Sequence, residues 1–478
     1  MTSRLIRILR PTQRLIAQHQ RPYSQNVIFM DEKDLSMLDV EMTESFISTT
    51  VISDLTNPAE FVRGSPEAEF GRKRIGCVHL PKPLAKGILD LIEAQHDKRL
   101  IRVDALRLYE AMRSTARIPE PLEQDPTKKP KKTPNQEVLE PHNVSYGPRE
   151  ALAYTAGVLP ASYAAIFNVL EEVNSRLGDF KPKTMLDFGT GPGTAIWAAQ
   201  EVFDIDKYVG VDLSEDMLRV AENLEECTKK PDSSPIEFKR YLAFDPTISK
   251  PDLVVSAFAL GDIASTALQK STIEQLWEQA GDVLILIERG TPIGFSAIAR
   301  ARQWILDAEK EKEKDVHVVA PCPHDRPCPL LFSPEAKPSK TWCHFSQRVE
   351  RPAFLMKTKH SKFNTEDAKY SYVVLRRGKR PSTKNAESPF ERAAFSWPRL
   401  IQPPLKNKGH VVMDLCVQNG EIQRTSIPKS QGKIPYRDAR KSMWGDLFPH
   451  PSKTKMVTRV SEGVVGPEEV QRKHKKAI

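Results

Sequence analysis

Leu84, Ile88, Leu91 and Ile92 recur at helical spacing, and Leu100, Val103, Leu106, Leu108 and Met112 follow, so the pattern predicts two amphipathic helices. Tyr146 to Leu177 is helical in pattern as well, with Pro160 marking a break between two helices. From Lys183 the period changes. Met185-Leu186-Asp187-Phe188 reads as a short apolar strand, Thr194 to Phe203 as a helix, and Tyr208 to Asp212 as a second strand. Ser214 is a helix N-cap with Glu215 and Asp216 in the first turn, and Met217, Leu218, Ala221 and Leu224 form the buried face behind it. Leu253-Val254-Val255 and Val283 to Ile287 supply further strands, and Ile298, Ala301 and Ile305 mark the next helix. Such strand–helix alternation predicts an α/β fold with a doubly wound parallel sheet. The run Glu309 to Asp315 alternates in sign and reads as a solvated helix end. Tyr370 to Arg377 alternates as a strand does, and Val411 to Val417 and Glu421 to Ile427 flank Asn419-Gly420, a strong hairpin signal.

Composition adds limits. The 478 residues fit two to four domains at about 100–200 residues each. Hydrophobic residues at 39% and charged residues at 28% give a mainly globular chain. No window reaches the ~18 uninterrupted apolar residues of a spanning helix. Lys+Arg is 71 against Asp+Glu 62, a net +9 that points to an anionic partner without identifying it. Met1 to Met30 holds Arg4, Arg7, Arg10, Arg14 and Arg21 among Leu5, Ile6, Leu9, Leu15 and Ile16, with no acid before Asp31. That is the composition of a mitochondrial import peptide, with processing expected near Tyr23 or Ser24; a basic arm for nucleic acid is the alternative. Pro119 to Pro141 carries six prolines and the run Lys128-Lys129-Pro130-Lys131-Lys132, which reads as a linker.

The segment Asp187-Phe188-Gly189-Thr190-Gly191-Pro192-Gly193-Thr194 joins the first strand to the first helix. Its glycines run Gly-x-Gly-x-Gly, whereas a dinucleotide site reads Gly-x-Gly-x-x-Gly. Asp187 before the loop would repel a diphosphate but suits a ligand with an ammonium group, as S-adenosylmethionine has. Asp212 lies 25 positions later, at the end of the second strand, placed to accept two ribose hydroxyls. Asp245 before Pro246 is either an adenine contact or a turn residue. Over about residues 150–380 this resembles the class I methyltransferase fold; a Rossmann-like fold with a different nucleotide site is the alternative. Many amino-methylating members of that class carry an Asn/Asp-Pro-Pro-aromatic tetrad after the fourth strand. This chain has Ser256-Ala257-Phe258-Ala259-Leu260-Gly261-Asp262 there.

Of six cysteines, Cys77 and Cys227 stand alone. Cys322, Cys328 and Cys343 fall in Pro321-Cys322-Pro323-His324, Pro327-Cys328-Pro329 and Trp342-Cys343-His344, and Cys416 follows in the hairpin. Six cysteines are too few for a disulfide scaffold of this size, and in a reducing matrix a disulfide pair is not expected. Four thiolates suit tetrahedral zinc or an iron–sulfur cluster, and His324 and His344 are substitute ligands. Spacing alone leaves zinc and cluster open. On its strand Cys416 shares a face with Val412 and Asp414, opposite Val411, Met413, Leu415 and Val417.

Leu-Asp-Phe-Gly-Thr-Gly-Pro-Gly-Thr, Glu288-Arg289-Gly290-Thr291-Pro292, Cys-Pro-His, Trp-Cys-His-Phe, Gly409 to Cys416, Tyr436-Arg437-Asp438-Ala439-Arg440 and Trp444-Gly445-Asp446 occur in one order. In that order the chain resembles the methyltransferase-like assembly factors of the mitochondrial small ribosomal subunit, sometimes catalogued as small-subunit ribosomal proteins. The resemblance implies a [4Fe–4S] cluster on Cys322, Cys328, Cys343 and Cys416 and binding to small-subunit ribosomal RNA. The class I methyltransferase reading places S-adenosylmethionine at Asp187, Gly189, Gly191, Gly193, Asp212 and Asp245, and the expected partners are ribosomal RNA and proteins in the matrix. Lys429, Lys433, Arg437, Arg440 and Lys441 are the expected phosphate contacts, with Tyr436 and Trp444 available to stack on bases. The expected layout is a transit peptide over 1–24, an N-terminal helical region over 25–150 and the methyltransferase-like domain over 151–380. A Cys-rich metal-binding insertion occupies about 319–350, followed by a small C-terminal β-rich domain over 381–450 and a basic tail over 451–478. The chain is expected to be a monomer. Two functions stay open: an RNA-binding assembly factor, and an active S-adenosylmethionine-dependent ribosomal RNA methyltransferase.

Overall fold

Val283 to Ile287 is uninterruptedly apolar because it lies at the centre of a sheet covered on both faces, where all five side chains are fully buried. The computed structural model describes residues 64–114, 141–229, 234–242, 249–381 and 390–464. The import segment, nearly all of the proline-rich linker and Asp245 lie outside them. The main sheet has nine strands: β1 (Cys77–Val78), β2 (Thr184–Phe188), β3 (Lys207–Val211), β4 (Ile236–Lys239), β5 (Leu253–Ala257), β6 (Val283–Arg289), β7 (Val316–Ala320), β8 (Phe345–Glu350) and β9 (Thr365–Arg377). Their order is β1-β8-β9-β6-β5-β2-β3-β4, with β7 also paired to β9. β2 to β6 pair in parallel. β9 runs antiparallel to β6, β7 and β8, so the sheet is mixed rather than wholly parallel. The predicted strand over Tyr370 to Arg377 is the end of β9, antiparallel to β6 and β7. This is a methyltransferase-like α/β fold. Strand order reverses between β2 and β5, and the loop after β2 opens at that switch point.

A second sheet, wholly antiparallel, follows: β10 (Arg399–Leu400), β11 (Leu405–Lys406), β12 (His410–Cys416), β13 (Ile422–Pro428) and β14 (Val457–Val460). Asn419-Gly420 makes the β12–β13 turn, with Gly420 at φ +83° and the Asn419 side chain accepting from Glu421 N–H at 3.2 Å. The described residues from Gly64 onward belong to one compact unit that includes both sheets.

The helices follow the apolar spacing with local differences. Pro148–Gly157 and Leu159–Arg176 break at Val158 and bend by 58°, with Pro160 in the first turn of the second. Ser214 caps Glu215–Thr228 by accepting from Met217 N–H at 3.1 Å, worth about 1 kcal/mol, and its buried face is the expected one. In Lys98–Ser114, by contrast, Leu100, Val103 and Leu106 are exposed, and the buried face is Ile101, Ala105, Leu108 and Met112. Helix Thr194–Ala199 stops four residues early. Glu309 is not solvated: it is 2% exposed and faces Arg377 at 3.4 Å. Part of the expected tail is structured, because Val457–Val460 pairs with β13. Among the described residues no single helix is long and apolar enough to cross a membrane.

Candidate functional site

The glycine loop leaves β2 through backbone that side chains rarely adopt. Gly189, Gly191 and Gly193 have φ of +73°, +53° and +79°. A Cβ on Gly189 would sit 2.3 Å from the Cβ of Ala259, and one on Gly193 would strike the Trp197 ring at 2.8 Å. Around Gly191 there is open space instead, which is where a ligand can approach the backbone. Asp212 holds the loop: its carboxylate accepts from Gly191 N–H at 2.8 Å and Ser214 N–H at 2.9 Å, one on each oxygen. Each oxygen keeps a lone-pair site for another donor. Asp187 is 1% exposed and accepts from the Thr190 hydroxyl at 2.6 Å. Burial, with only that hydroxyl opposing it, pushes its pKa up to about 7. A carboxyl held there without a countercharge is stabilised by a cationic ligand.

Beyond β5 the backbone is strained where the tetrad would stand. Phe258 has φ +62°, and its N–H donates to Ile287 O at 2.8 Å. Ser256 Oγ, Asp262 Oδ1 and Arg289 Nη1 are buried without hydrogen-bond partners among the described residues. Burial raises Asp262 to about 7 against the pull of Arg289, with Tyr146 beside it. Sequence reasoning missed this polar group and Thr190. The signal was present in the carboxylate and guanidinium that follow two core strands, but nothing in the spacing joined them.

Cys322, Cys328, Cys343 and Cys416 line one cavity of ≈ 40 Å³. Three come from the 321–344 connection between β7 and β8, and the fourth is the last residue of β12. Val411, Met413 and Leu415 fill the core on the other face of that strand, as the alternation predicted. Apolar walls come from Phe295, Ile298, Ala299 and Ile422. Burial pushes the thiols of Cys328, Cys343 and Cys416 up, and neighbouring sulfurs add to this. Arg302 also lines the cavity; it is 2% exposed, and among the described residues its Nε and Nη1 have no partner. His324 and His344 do not line the cavity. His324 Nε2 lies 3.4 Å from Cys416 Sγ, and His344 packs between Trp342 and Trp444. Among the described residues no three His, Cys, Asp or Glu side chains are grouped as a single metal ion needs.

The profile of the family described as mitochondrial small ribosomal subunit Rsm22 matches residues 148–449. The chain belongs to the Rsm22 family. It is 34% identical over 315 residues to the human mitochondrial ribosome assembly protein METTL17, covering 64% of each chain. It is 25% identical to the Saccharomyces cerevisiae mitochondrial ribosome assembly protein RSM22, covering 67% of this chain and 71% of that one. The match thus spans a little under two thirds of the human relative's length. Magnesium protoporphyrin IX methyltransferase from Synechocystis, solved with bound SAH, aligns at 14% identity over 46% of this chain and 84% of that one, TM-score 0.28. Within this Rsm22-family chain the expected phosphate-contacting cations are exposed: Lys429, Lys433, Arg437, Arg440 and Lys441. The two aromatics are not free. Tyr436 packs on the second-sheet core, and Trp444 packs on the main core against His344.

Proposed function

We propose that this chain is an assembly factor of the mitochondrial small ribosomal subunit, acting in the matrix, that binds ribosomal RNA and carries S-adenosylmethionine and a [4Fe–4S] cluster. The observation that carries this reading is the convergence of four cysteines on one cavity in a chain of the Rsm22 family. Names of relatives support the ribosomal role.

Residues at each site support this reading. Asp212 has lone pairs to spare for ribose hydroxyls, Gly191 leaves space, and Asp187 lacks a countercharge. At the cysteines, zinc–sulfur bonds of about 2.3 Å would draw four thiolates to within about 3.8 Å of one another. No three of these side chains are grouped that closely among the described residues, and the cavity between them, ≈ 40 Å³, is roughly three times the ~10–15 Å³ of one water centre. The unpartnered Arg302 N–H groups suit a thiolate-ligated centre of negative charge. Cys322, Cys328, Cys343 and Cys416 would hold the cluster, whose binding would contribute folding energy to the 321–344 connection. Its joining of that connection to β12 favours a structural role.

Methyl transfer to ribosomal RNA is the second reading, favoured by the intact cradle of Gly191 and Asp212. The strained Ser256–Asp262 segment in place of the tetrad favours binding without transfer. One experiment separates them. Asp212→Ala is introduced in cells, and small-subunit assembly and ribosomal RNA methylation are both measured. Loss of methylation with normal assembly supports the enzyme; loss of assembly with methylation unchanged supports the factor.

A further inference from the structure

A cleft of ≈ 640 Å³ lies away from both sites, between the Gly64–Gly76 stretch and the C-terminal elements. Arg72, Arg74, Lys406, Arg440 and Lys441 line it, against two acids, Glu69 and Asp446. The two acids offset only part of this charge, Glu69 at Arg72 and Asp446 weakly at Lys406. Glu69 pairs with Arg72. Asp446 is 3% exposed and spends its oxygens on Lys73 N–H and Met443 N–H, both at 2.9 Å. Among the described residues Arg74, Lys406 and Arg440 have no ion-pair partner; Arg74 reaches only Met443 Sδ at 3.4 Å, and Arg440 only Asn407 O at 3.5 Å. Burial and then Arg440 lower the pKa of Lys406, so the cations crowd one another.

The crowding is held in place. Ser65 N–H and Oγ–H donate to the Asp438 carboxylate at 3.2 and 2.9 Å, and His450 binds the same oxygen at 2.7 Å. Leu447 N–H donates to Gly71 O at 2.7 Å. These bonds clamp the two walls together, so a multivalent anion would meet a cleft already formed, with little ordering cost. Three of the five cations are arginines, whose planar forks match phosphate oxygens.

We propose that this cleft seats the phosphodiester backbone of single-stranded RNA, with Arg74, Lys406 and Arg440 as the principal contacts. The proposal rests on the ribosomal reading, which makes RNA the polyanion at hand. It differs from a general basic surface because the walls are about 370 residues apart in sequence, so only the fold brings their charges together.

The test is fluorescence anisotropy of the full chain with a labelled 20-nucleotide oligouridylate across a salt series. The triple variant Arg74→Glu/Lys406→Glu/Arg440→Glu should weaken binding by about tenfold or more near 0.1 M salt. Its log–log salt slope should shrink by about 2, at ~0.7 per single-strand phosphate. Lys310→Glu/Lys314→Glu, on an exposed helix end elsewhere, should change affinity less than about threefold. If the glutamate variant does not fold, as read by circular dichroism, the triple alanine variant takes its place, since all three side chains are exposed. Equal losses in the groove and distant variants, or an unchanged groove variant, overturn the proposal. Polyglutamate competing as well as RNA would reassign the cleft to an acidic protein segment. A wild-type chain that fails to bind RNA at any salt overturns the ribosomal reading itself.

Discussion

Replacing Glu172 with Gln tests how the two sheets are joined. Glu172 is 9% exposed and receives Lys73 Nζ at 2.6 Å, Arg399 Nη2 at 2.6 Å and the Tyr372 hydroxyl at 2.5 Å, with Arg176 at 3.9 Å. Arg399 in turn donates to Pro321 O and Gly445 O, each at 2.7 Å. One carboxylate therefore balances three buried cations drawn from the N-terminal stretch, a core helix and β10. Glutamine keeps the shape and removes the charge. Breaking a buried pair costs about 3–5 kcal/mol, because the partner is left charged and unpaired. Lys73 offers partial relief: burial already lowers it to about 8, and without Glu172 it falls further. Arg176 and Arg399 have no such escape. The loss in urea unfolding at pH 7 should thus lie near the lower end, about 3 kcal/mol. Since the folded pKa of Lys73, about 8, lies below its ordinary value of 10.5, the unfolded chain binds more protons in the window between them, and stability rises with pH there. In the variant the window opens lower, so the deficit should narrow between pH 7 and 8. A loss under about 1 kcal/mol would refute the reasoning.

Three further outcomes are expected. Asp212→Ala should abolish S-adenosylmethionine binding in calorimetry, since each hydrogen bond to the charged oxygens is worth about 1.5–3 kcal/mol; wild-type affinity in the variant would reject the assignment. Because Asp187 is raised to about 7, only its ionised form favours a cationic ligand, so affinity should climb between pH 6 and 7.5 and then level. In the free protein the same raised acid binds more protons than the unfolded chain between about pH 4 and 7, so its contribution to stability falls as pH rises there; Asp187→Asn should flatten both trends. Serine at Cys322, Cys328, Cys343 or Cys416 should remove iron, sulfide and broad absorption from anaerobically purified protein, whereas serine at Cys77 or Cys227 should not; a single zinc in the wild type would keep the ligands and reject the cluster.

Local rules made most of the sheet legible. Val283 to Ile287 could only be a strand buried on both faces, Ser214 announced its helix, and Asn419-Gly420 set the hairpin turn. The Gly189-Gly191-Gly193 loop and Asp212 were legible because a tight turn and a strand-end acid leave fixed spacings. What stayed hidden is what tertiary packing decides. In Lys98–Ser114 several registers of apolar residues were available, and packing chose Ile101 and Ala105 over Leu100 and Val103. Glu309 looked solvated among alternating charges, but Arg377 arrives from a strand 68 residues away. β4 is short and β8 polar-alternating, and sheet neighbours rather than composition hold them.

The same distinction separates the two charged constellations. Four cysteines are rare enough to be picked out one by one, and the fold brings them to one cavity that spacing alone did not define. Cations are common, and a linear scan groups those that are neighbours in sequence, such as Lys433, Arg437 and Arg440 on one helix. The fold regroups them: Arg440, with Lys441, faces Arg74 and Lys406 across a cleft that Lys433 and Arg437 do not line. Specificity for an anion comes from that regrouping, since isolated surface cations are screened within about 8–10 Å at ordinary salt. Cations held against one another keep their mutual repulsion until an anion enters, which makes the cleft, more than net charge, the feature to change when the proposed RNA contact is tested.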